Sequence, residues 1–500
     1  MTKFLEQKLR WIVLGLCAIA ALRVFVFAAA FPFFNNVDEQ AHVDLVVKYS
    51  HARPPRGIEP FAPEAALYFA VYSTPEYFVK PEQYGGQFPP PKWLLPQEEL
   101  QKVVNDEVPL WESRLNHESG EAPLYYALAG GWMNLGRVIG LRGLSLLYWI
   151  RFLNIALATI LVWIGFAAAR STFPDNQFVQ LASPMLLAVW PQSAFYSIQG
   201  DALSPVCFGI AFLGLTKILQ REGAGILVPI WTGLAVAASC LIKTSNLLLP
   251  LVVTIALVVK IFLSAKKEAL RPALIGLGAF VLSVAIPLGI WFAWNQQHFG
   301  DLTATKSKIE MLGWTQKPIT EWWSHPIFTV HGFQEFWSGL IASFWRGEFV
   351  WHLERMASPV ADVFYWVATA LAVLAIPLCL VAQTQRIRGG QQLILWVAPL
   401  SFLSIVAFLV VLSISFDFGN CPYPSREHPY FTSGRLLNAA AVPFFLIFVY
   451  VIDWLELSTK REWIRWALLG VIALGLTISQ LNVSAPAFAS RYNFFHRPTY

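Results

Sequence analysis

Apolar runs of about 18–24 residues, the length at which a helix crosses the hydrocarbon layer of a bilayer, constrain this chain more than any other feature. They lie at residues 11–30, 148–169, 178–197, 202–219, 225–241, 246–263, 272–294, 359–382, 393–416, 436–454 and 466–481. Runs so long and so frequent do not fit a string of soluble domains. Composition agrees: 13% of the residues are charged, against about 25% in soluble domains. Trp and Phe, 21 and 38 of them, suit a protein with two lipid–water interfaces. The expected fold is an all-α polytopic integral membrane protein with about 11 transmembrane helices. Residues 11–30 read as a retained anchor, because the apolar run is too long for a cleaved leader.

Charge orients the spans. With Lys3, Lys8 and Arg10 in the cytoplasm, the inner loops hold Arg170; Lys217 and Arg221; Lys266, Lys267 and Arg271; Arg386 and Arg388; and Lys460, Arg461 and Arg465. Every short inner loop is then basic. The Gly-rich stretch that starts at Pro123 would invert this pattern as a span, so it reads as an interfacial or re-entrant helix. The expected organisation is a cytoplasmic N-terminus and first helix (1–31), a large outer loop with that helix (32–145), a transmembrane core (146–294), an outer loop with interfacial helices (295–358), C-terminal transmembrane helices (359–485) and an outer tail (486–500). The net charge of +5 and the lack of a basic patch interleaved with aromatics argue against a nucleic-acid partner. The five Cys residues form no disulfide framework and no C-x-x-C zinc pattern.

Several polar constellations fall on the outer side. V-D-E-Q-A-H, Val37 to His42, follows the first span. Asp38 and Glu39 could simply start a helix, or the two acids and His42 could do general-base or metal work. S-I-Q-G-D-A-L, Ser197 to Leu203, is a short outer turn whose acid, Asp201, either caps the next helix or joins Asp38. Lys243, in L-I-K-T-S-N, breaks the positive-inside pattern; it either snorkels or meets an anion. Arg435, in T-S-G-R, opens a late span from outside. Arg23 lies about 18 Å into the first helix, a depth at which it needs a partner. No P-loop, G-x-G-x-x-G, G-x-S-x-G or H-E-x-x-H occurs, so an outer-face transferase has no evident place for a nucleotide donor.

An acidic D-E just after the first membrane helix, followed by a long outer loop, resembles the GT-C superfamily of membrane glycosyltransferases. That group includes oligosaccharyltransferase catalytic subunits, protein O-mannosyltransferases and lipid A aminoarabinose transferases. The form D-E-x-A-H is most similar to a bacterial membrane protein family of that clan. A-P-L-Y-Y (Ala122 to Tyr126), R-F-L-N (Arg151 to Asn154), G-D-A-L (Gly200 to Leu203), the G-L…K stretch from Gly233 to Lys243 and S-G-R-L-L (Ser433 to Leu437) resemble further family segments, in order. Val37 stands where the family usually has Pro. In the outer loop at 295–358, Glu310, Glu321 and Glu348 are unassigned candidates for a further acid.

The resemblance implies transfer of a sugar from a polyprenyl-phosphate-linked donor to a hydroxyl on a lipid, glycan or protein, at the outer face of what would be a bacterial inner membrane. Asp38 and Glu39 are the candidate catalytic acids and Asp201 the second acid. Lys243, Arg435, His42 and Arg151 are candidates for holding the donor and its phosphate. A divalent metal, with Asp38 and Asp201 as candidate ligands, is a further expectation. One base without an evident covalent nucleophile suits inversion. The competing readings are a transporter or flippase for a lipid-linked glycan and a non-catalytic subunit of an envelope-assembly complex. Transporters often carry two related halves, and no internal repeat is visible here.

Overall fold

The computed structural model describes residues 2–35, 38–220, 225–263, 267–382, 389–456 and 462–496. Val37 and the inner-loop residues Arg221, Lys266, Arg386, Arg388, Lys460 and Arg461 lie outside these. The described chain is mostly helical, with almost no sheet. Its strands are two short antiparallel ladders, Thr315–Gln316 with Phe416–Asp417 and Val350–Trp351 with Glu354–Arg355.

Among the described residues nine stretches are long and apolar enough to cross a membrane: Gln7–Ala30, Gly143–Thr172, Gly200–Gln220, Thr244–Leu263, Leu270–Phe299, Pro359–Ala382, Gly389–Ser415, Gly434–Leu455 and Trp463–His496. Two more apolar helices, Gln177–Val189 and Leu227–Cys240, are shorter. All eleven apolar runs therefore carry helix, but in two the helix is too short to count among the nine. The first ends at Trp190, which is held extended before Pro191. The second ends at Leu241, just before Lys243.

Helix α1 (Thr2–Ala30) leads to α2 (Glu39–Ser50), α3 (Pro63–Tyr72) and α4 (Gln97–Glu112), which stack on one another at one end of the bundle. The stretch after Pro123 forms α5 (Leu124–Val138). Its 15 residues reach about 22 Å, short of the roughly 30 Å hydrocarbon core. It lies against α2 and α6 (Gly143–Thr172), where Trp132 and Trp149 stack at 4.2 Å and each donates its indole N–H to the other's carbonyl oxygen.

The bundle continues with α7 (Gln177–Val189), α8 (Ser204–Gln220), α9 (Leu227–Cys240), α10 (Leu249–Leu263) and α11 (Lys267–Phe299). After α11 the chain returns to the α2 end with α12 (Lys306–Leu312) and the amphipathic α13 (Val330–Arg346). Helices α14 (Pro359–Ala382), α15 (Gly389–Ser415), α16 (Ala441–Glu456) and α17 (Glu462–Ala489) complete the fold. The stretch carrying α16 is 94% buried and that carrying α11 only 17%. Helix α16 is thus the packed centre, touching α6, α7, α8, α14, α15 and α17, while α11 runs along the edge.

The deep Arg23 finds partners inside the bundle. Its Nε donates to the Ala188 carbonyl at 2.9 Å and its Nη1 to the Tyr196 hydroxyl at 2.5 Å. A charge at this depth is retained only when its donors are satisfied.

Candidate functional site

The site is built where α1 gives way to α2. Asp38 occupies the N-cap position of α2 at φ 61°, ψ 18°. This left-handed conformation costs an Asp roughly 1–2 kcal/mol. Among the described residues its carboxylate makes no capping bond, so helix capping does not account for the residue. Instead Oδ1 lies 3.3 Å from His117 Nε2 and Oδ2 lies 3.5 Å from Arg435 Nη2. The side chain stays one-third exposed.

Glu39, the next residue, points the other way and is completely buried. Its Oε1 accepts from Arg151 Nη2 at 2.7 Å and from the Ile198 N–H at 2.9 Å. Its Oε2 accepts from the N–H groups of Phe34 (2.8 Å) and Asn35 (3.3 Å). Arg151 also donates to the carbonyls of Ala28, Phe31 and Pro32 and lies 3.8 Å over the Phe33 ring. One ion pair thus ties the end of α1, the N-terminal third of α6 and the turn before Asp201 together. Asn154, one turn along α6, adds bonds to the carbonyls of Phe195 and Ser197.

Arg435 is the hub on the other side. Gly434 lets it get there: a Cβ at that position would come within 2.0 Å of the Phe344 amide nitrogen on α13. The guanidinium reaches Gln199 Oε1 at 2.7 Å, Asp201 Oδ2 at 3.4 Å and Glu348 Oε2 at 3.7 Å, besides Asp38. Asp201 itself is buried. Asp38 and Asp201 are therefore brought together through a shared cation, with Arg435 paired to both.

The third part comes from residues 116–121 and α12. Asp44, buried on α2, accepts from Asn116 Nδ2 at 2.7 Å, and Asn116 Oδ1 accepts from the Glu118 N–H at 2.9 Å. This fixes His117 and Glu118 beside Asp38. Lys308 on α12 pairs with Glu118 at 2.6 Å and lies 3.6 Å from Glu121. Lys243 reaches Glu121 at 3.2 Å with its side chain only 10% exposed; it meets an anion and does not snorkel. His42, one helical turn beyond Asp38, is buried and bonds through Nδ1 to the Tyr126 hydroxyl at 2.7 Å. Its Nε2 has no hydrogen-bond partner among the described residues.

Five carboxylates (Asp38, Glu118, Glu121, Asp201, Glu348) thus surround three fixed cations (Lys243, Lys308, Arg435). Burial works against the ionised form of Asp38, but the His117 hydrogen bond and the Arg435 charge outweigh it and hold the carboxyl below its usual range. Burial opposes ionisation of Glu118 too, and there Lys308 and His117 bring the group well below its usual range. Glu121 is raised, by burial first, with Lys243 only partly offsetting it. Burial and the Lys243 charge push His42 down to about 3, so this imidazole is neutral.

One ligand atom each from Asp38, His117 and Glu118 lie within 4.8 Å of one another. Two carboxylate oxygens and an imidazole nitrogen form a donor set that fits a divalent cation. Asp201 is not in this group.

His117, Glu118, Glu121 and Lys308 were not among the residues singled out from sequence. The signal for the first three was the compact run N-H-E-S-G-E, Asn116 to Glu121, in which His and two acids fall within five residues. Of the three loop acids, Glu348 reaches the site, whereas Glu310 and Glu321 are exposed.

The chain is similar to solved structures of an archaeal oligosaccharyltransferase from Archaeoglobus fulgidus. One, of AglB in complex with an inhibitory peptide and a dolichol-phosphate, matches with a TM-score of 0.47 and 11% identity over 96% of this chain and 56% of that one. Another, in complex with Zn and sulfate, matches with a TM-score of 0.44 and 12% identity over 95% and 53%. The chain spans about half the length of these proteins. No curated protein matches it by sequence. Residues 22–422, from the second half of α1 to the loop after α15, match the model of one family, described as "Predicted membrane protein (DUF2142)", and the chain belongs to that family of membrane proteins.

Proposed function

We propose that this protein is a membrane glycosyltransferase that moves a sugar from a polyprenyl-phosphate-linked donor to a hydroxyl acceptor at the outer face of the membrane. The observation that carries the reading is Asp38. It is an ionised, part-exposed carboxylate in a left-handed backbone conformation, unused as a cap and set between His117 and Arg435. Strained, accessible acids of this kind cluster at functional sites.

In the reaction, the acceptor oxygen bonds to the anomeric carbon as the bond from that carbon to the phosphate oxygen breaks. Asp38 takes the acceptor's proton. The leaving polyprenyl phosphate gains negative charge, which Arg435 and Lys243 stabilise; one fixed donor of this kind is worth about 3–4 kcal/mol. Asp38, His117 and Glu118 would hold a divalent ion, which when bound supplies further positive charge beside the phosphate. Glu39 and Arg151 hold the backbone on which Asp38 stands. The lipid tail would lie between helices. Incubating the purified protein with polyprenyl-phosphate sugars should release free polyprenyl phosphate; no release from any donor, with the protein folded, would sink the proposal.

Three further outcomes follow from the same arrangement. Lys243→Met should raise the apparent donor KM or lower kcat by about tenfold or more, the equivalent of one lost charge-assisted contact; unchanged kinetics would make Lys243 a scaffold residue only. Titrating chelator-stripped protein with Mn²⁺ should reveal one site, and His117→Ala should weaken it by about tenfold or more. Equal affinity in the variant would remove His117 from the ligand set. A cysteine at exposed Glu82 should react with an impermeant thiol reagent in intact cells; reaction only after lysis would reverse the orientation.

A further inference from the structure

Beside the Asp38 site lies a small polar cleft lined by Gln192, Ser193, Ser197, Gln199, Glu348 and Arg435, with Phe31 and Phe349 on its wall. Its position depends on one glycine. Gly347 has φ +79°, and a Cβ there would come within 2.0 Å of Ser193 Oγ. With no side chain in the way, Ser193 Oγ accepts from the Glu348 N–H at 3.1 Å and donates to the Glu348 carbonyl at 3.3 Å. On the other side of Gly347, Arg346 is locked to Asp362 at 2.8 Å. Glu348 is therefore a fixed residue, held against the turn that follows α7.

Its carboxylate is incompletely partnered. Oε2 lies 3.7 Å from Arg435 Nε, an ion pair beyond hydrogen-bond reach. Oε1 is enclosed and has no hydrogen-bond partner among the described residues. A carboxylate oxygen can only accept, and buried polar atoms are nearly always paired, so the cleft lacks a donor. The amides of Gln199 and Gln192 are engaged elsewhere. Gln199 Nε2 donates to Ser197 Oγ, and Gln192 Nε2 donates to the carbonyls of Ser343 and Phe344. The Arg435 charge beside the acid disfavours a cation there. The enclosed volume, about 10 Å³, admits one water-sized group.

We propose that this cleft takes one hydroxyl of the donor's sugar ring and that Glu348 is the specificity-determining residue that reads it. The inference rests on the glycosyltransferase reading and deepens it. A site built to bond a particular hydroxyl rejects analogues that lack it or carry it in the other configuration, because the buried acceptor is then left unpaired. Sugar choice would thus be set by the segment after α13, across Arg435 from Asp38.

The test measures binding of farnesyl phosphate and of its glucosyl, mannosyl and galactosyl conjugates to the purified full chain. One conjugate should bind more tightly than farnesyl phosphate itself. Glu348→Gln should reduce that sugar-dependent gain, taken as the ratio of conjugate to farnesyl phosphate affinity in the same variant, by about tenfold or more, whatever the freed Arg435 does to farnesyl phosphate affinity itself. Retained farnesyl phosphate binding reports an intact fold. If Glu348→Gln loses it, Glu348→Asp, which keeps the charge beside Arg435 but withdraws the oxygen from the cleft, should show the same loss of gain. A gain that survives in the folded variant would mean that the cleft holds only water and would overturn the inference alone. Wild-type protein that fails to distinguish any conjugate from farnesyl phosphate would also overturn it. Wild-type protein that binds none of the four compounds would overturn the donor reading itself.

Discussion

Asp38→Asn should keep the fold and donor binding while lowering kcat by about 10²–10⁴, the range expected when a general base is lost. The substitution is chosen for the backbone. At φ 61° a β-branched or bulky residue would be strained, whereas Asn enters the left-handed region about as readily as Asp. Asn also keeps one oxygen acceptor, so a contact to Arg435 remains available. What it removes is the charge and the ability to take a proton. The measurement is release of polyprenyl phosphate at saturating donor, with thermal unfolding in detergent as the control for folding. Activity within a few-fold of wild type would mean that Asp38 neither takes the proton nor carries charge needed at the reacting centre.

The second large effect concerns stability. Arg151→Met removes one partner of an ion pair whose side chains are both 0% exposed. Glu39 would keep its three backbone donors and lose its counter-charge. Removing one side of a buried pair costs about 3–5 kcal/mol, enough to lower the unfolding midpoint severely or to keep the variant out of the membrane fraction. Glu39→Gln should be milder in yield but should change kcat and KM together, because Gln replaces an acceptor of four hydrogen bonds with one that brings donors of its own. A variant of either residue with wild-type stability would show that the pair does not hold the α1–α2 corner. These outcomes separate the adjacent acids: Asp38→Asn loses kcat alone with stability kept, whereas Glu39→Gln loses some stability and shifts kcat and KM together.

The sequence revealed the apolar helices more fully than the site. Apolar length alone locates the long helices, because a bilayer imposes one length on every span; it misjudges extent where local chemistry cuts a helix short, as at Pro191 after Trp190. Motifs that ride on helix ends were legible for the same reason. Asp38, Asp201, Lys243 and Arg435 each adjoin a span, and the structure brings all four to one end of the bundle. The adjacency of Asp38 and Glu39 already required different directions, and Glu39 indeed binds Arg151 and backbone donors. The partner of Arg23 was not legible, since it depends on how α1 packs on α7. The same holds for His117, Glu118 and Lys308. They lie on loops without periodicity, and contacts such as Asp44 with Asn116, 72 residues apart, bring them to Asp38. Arg151 was expected near the donor; the structure closes it inside the protein on Glu39, a partner that only the fold supplies.

The central claim is that a polyprenyl-phosphate sugar occupies the site around Asp38. The most direct test is to purify the wild-type protein and the Asp38→Asn variant from membranes in mild detergent and to identify the lipids that remain bound by mass spectrometry. A polyprenyl phosphate is expected with the wild type and its sugar conjugate enriched with the variant, where donor binds but does not react. Bulk phospholipid alone in both preparations would contradict the claim.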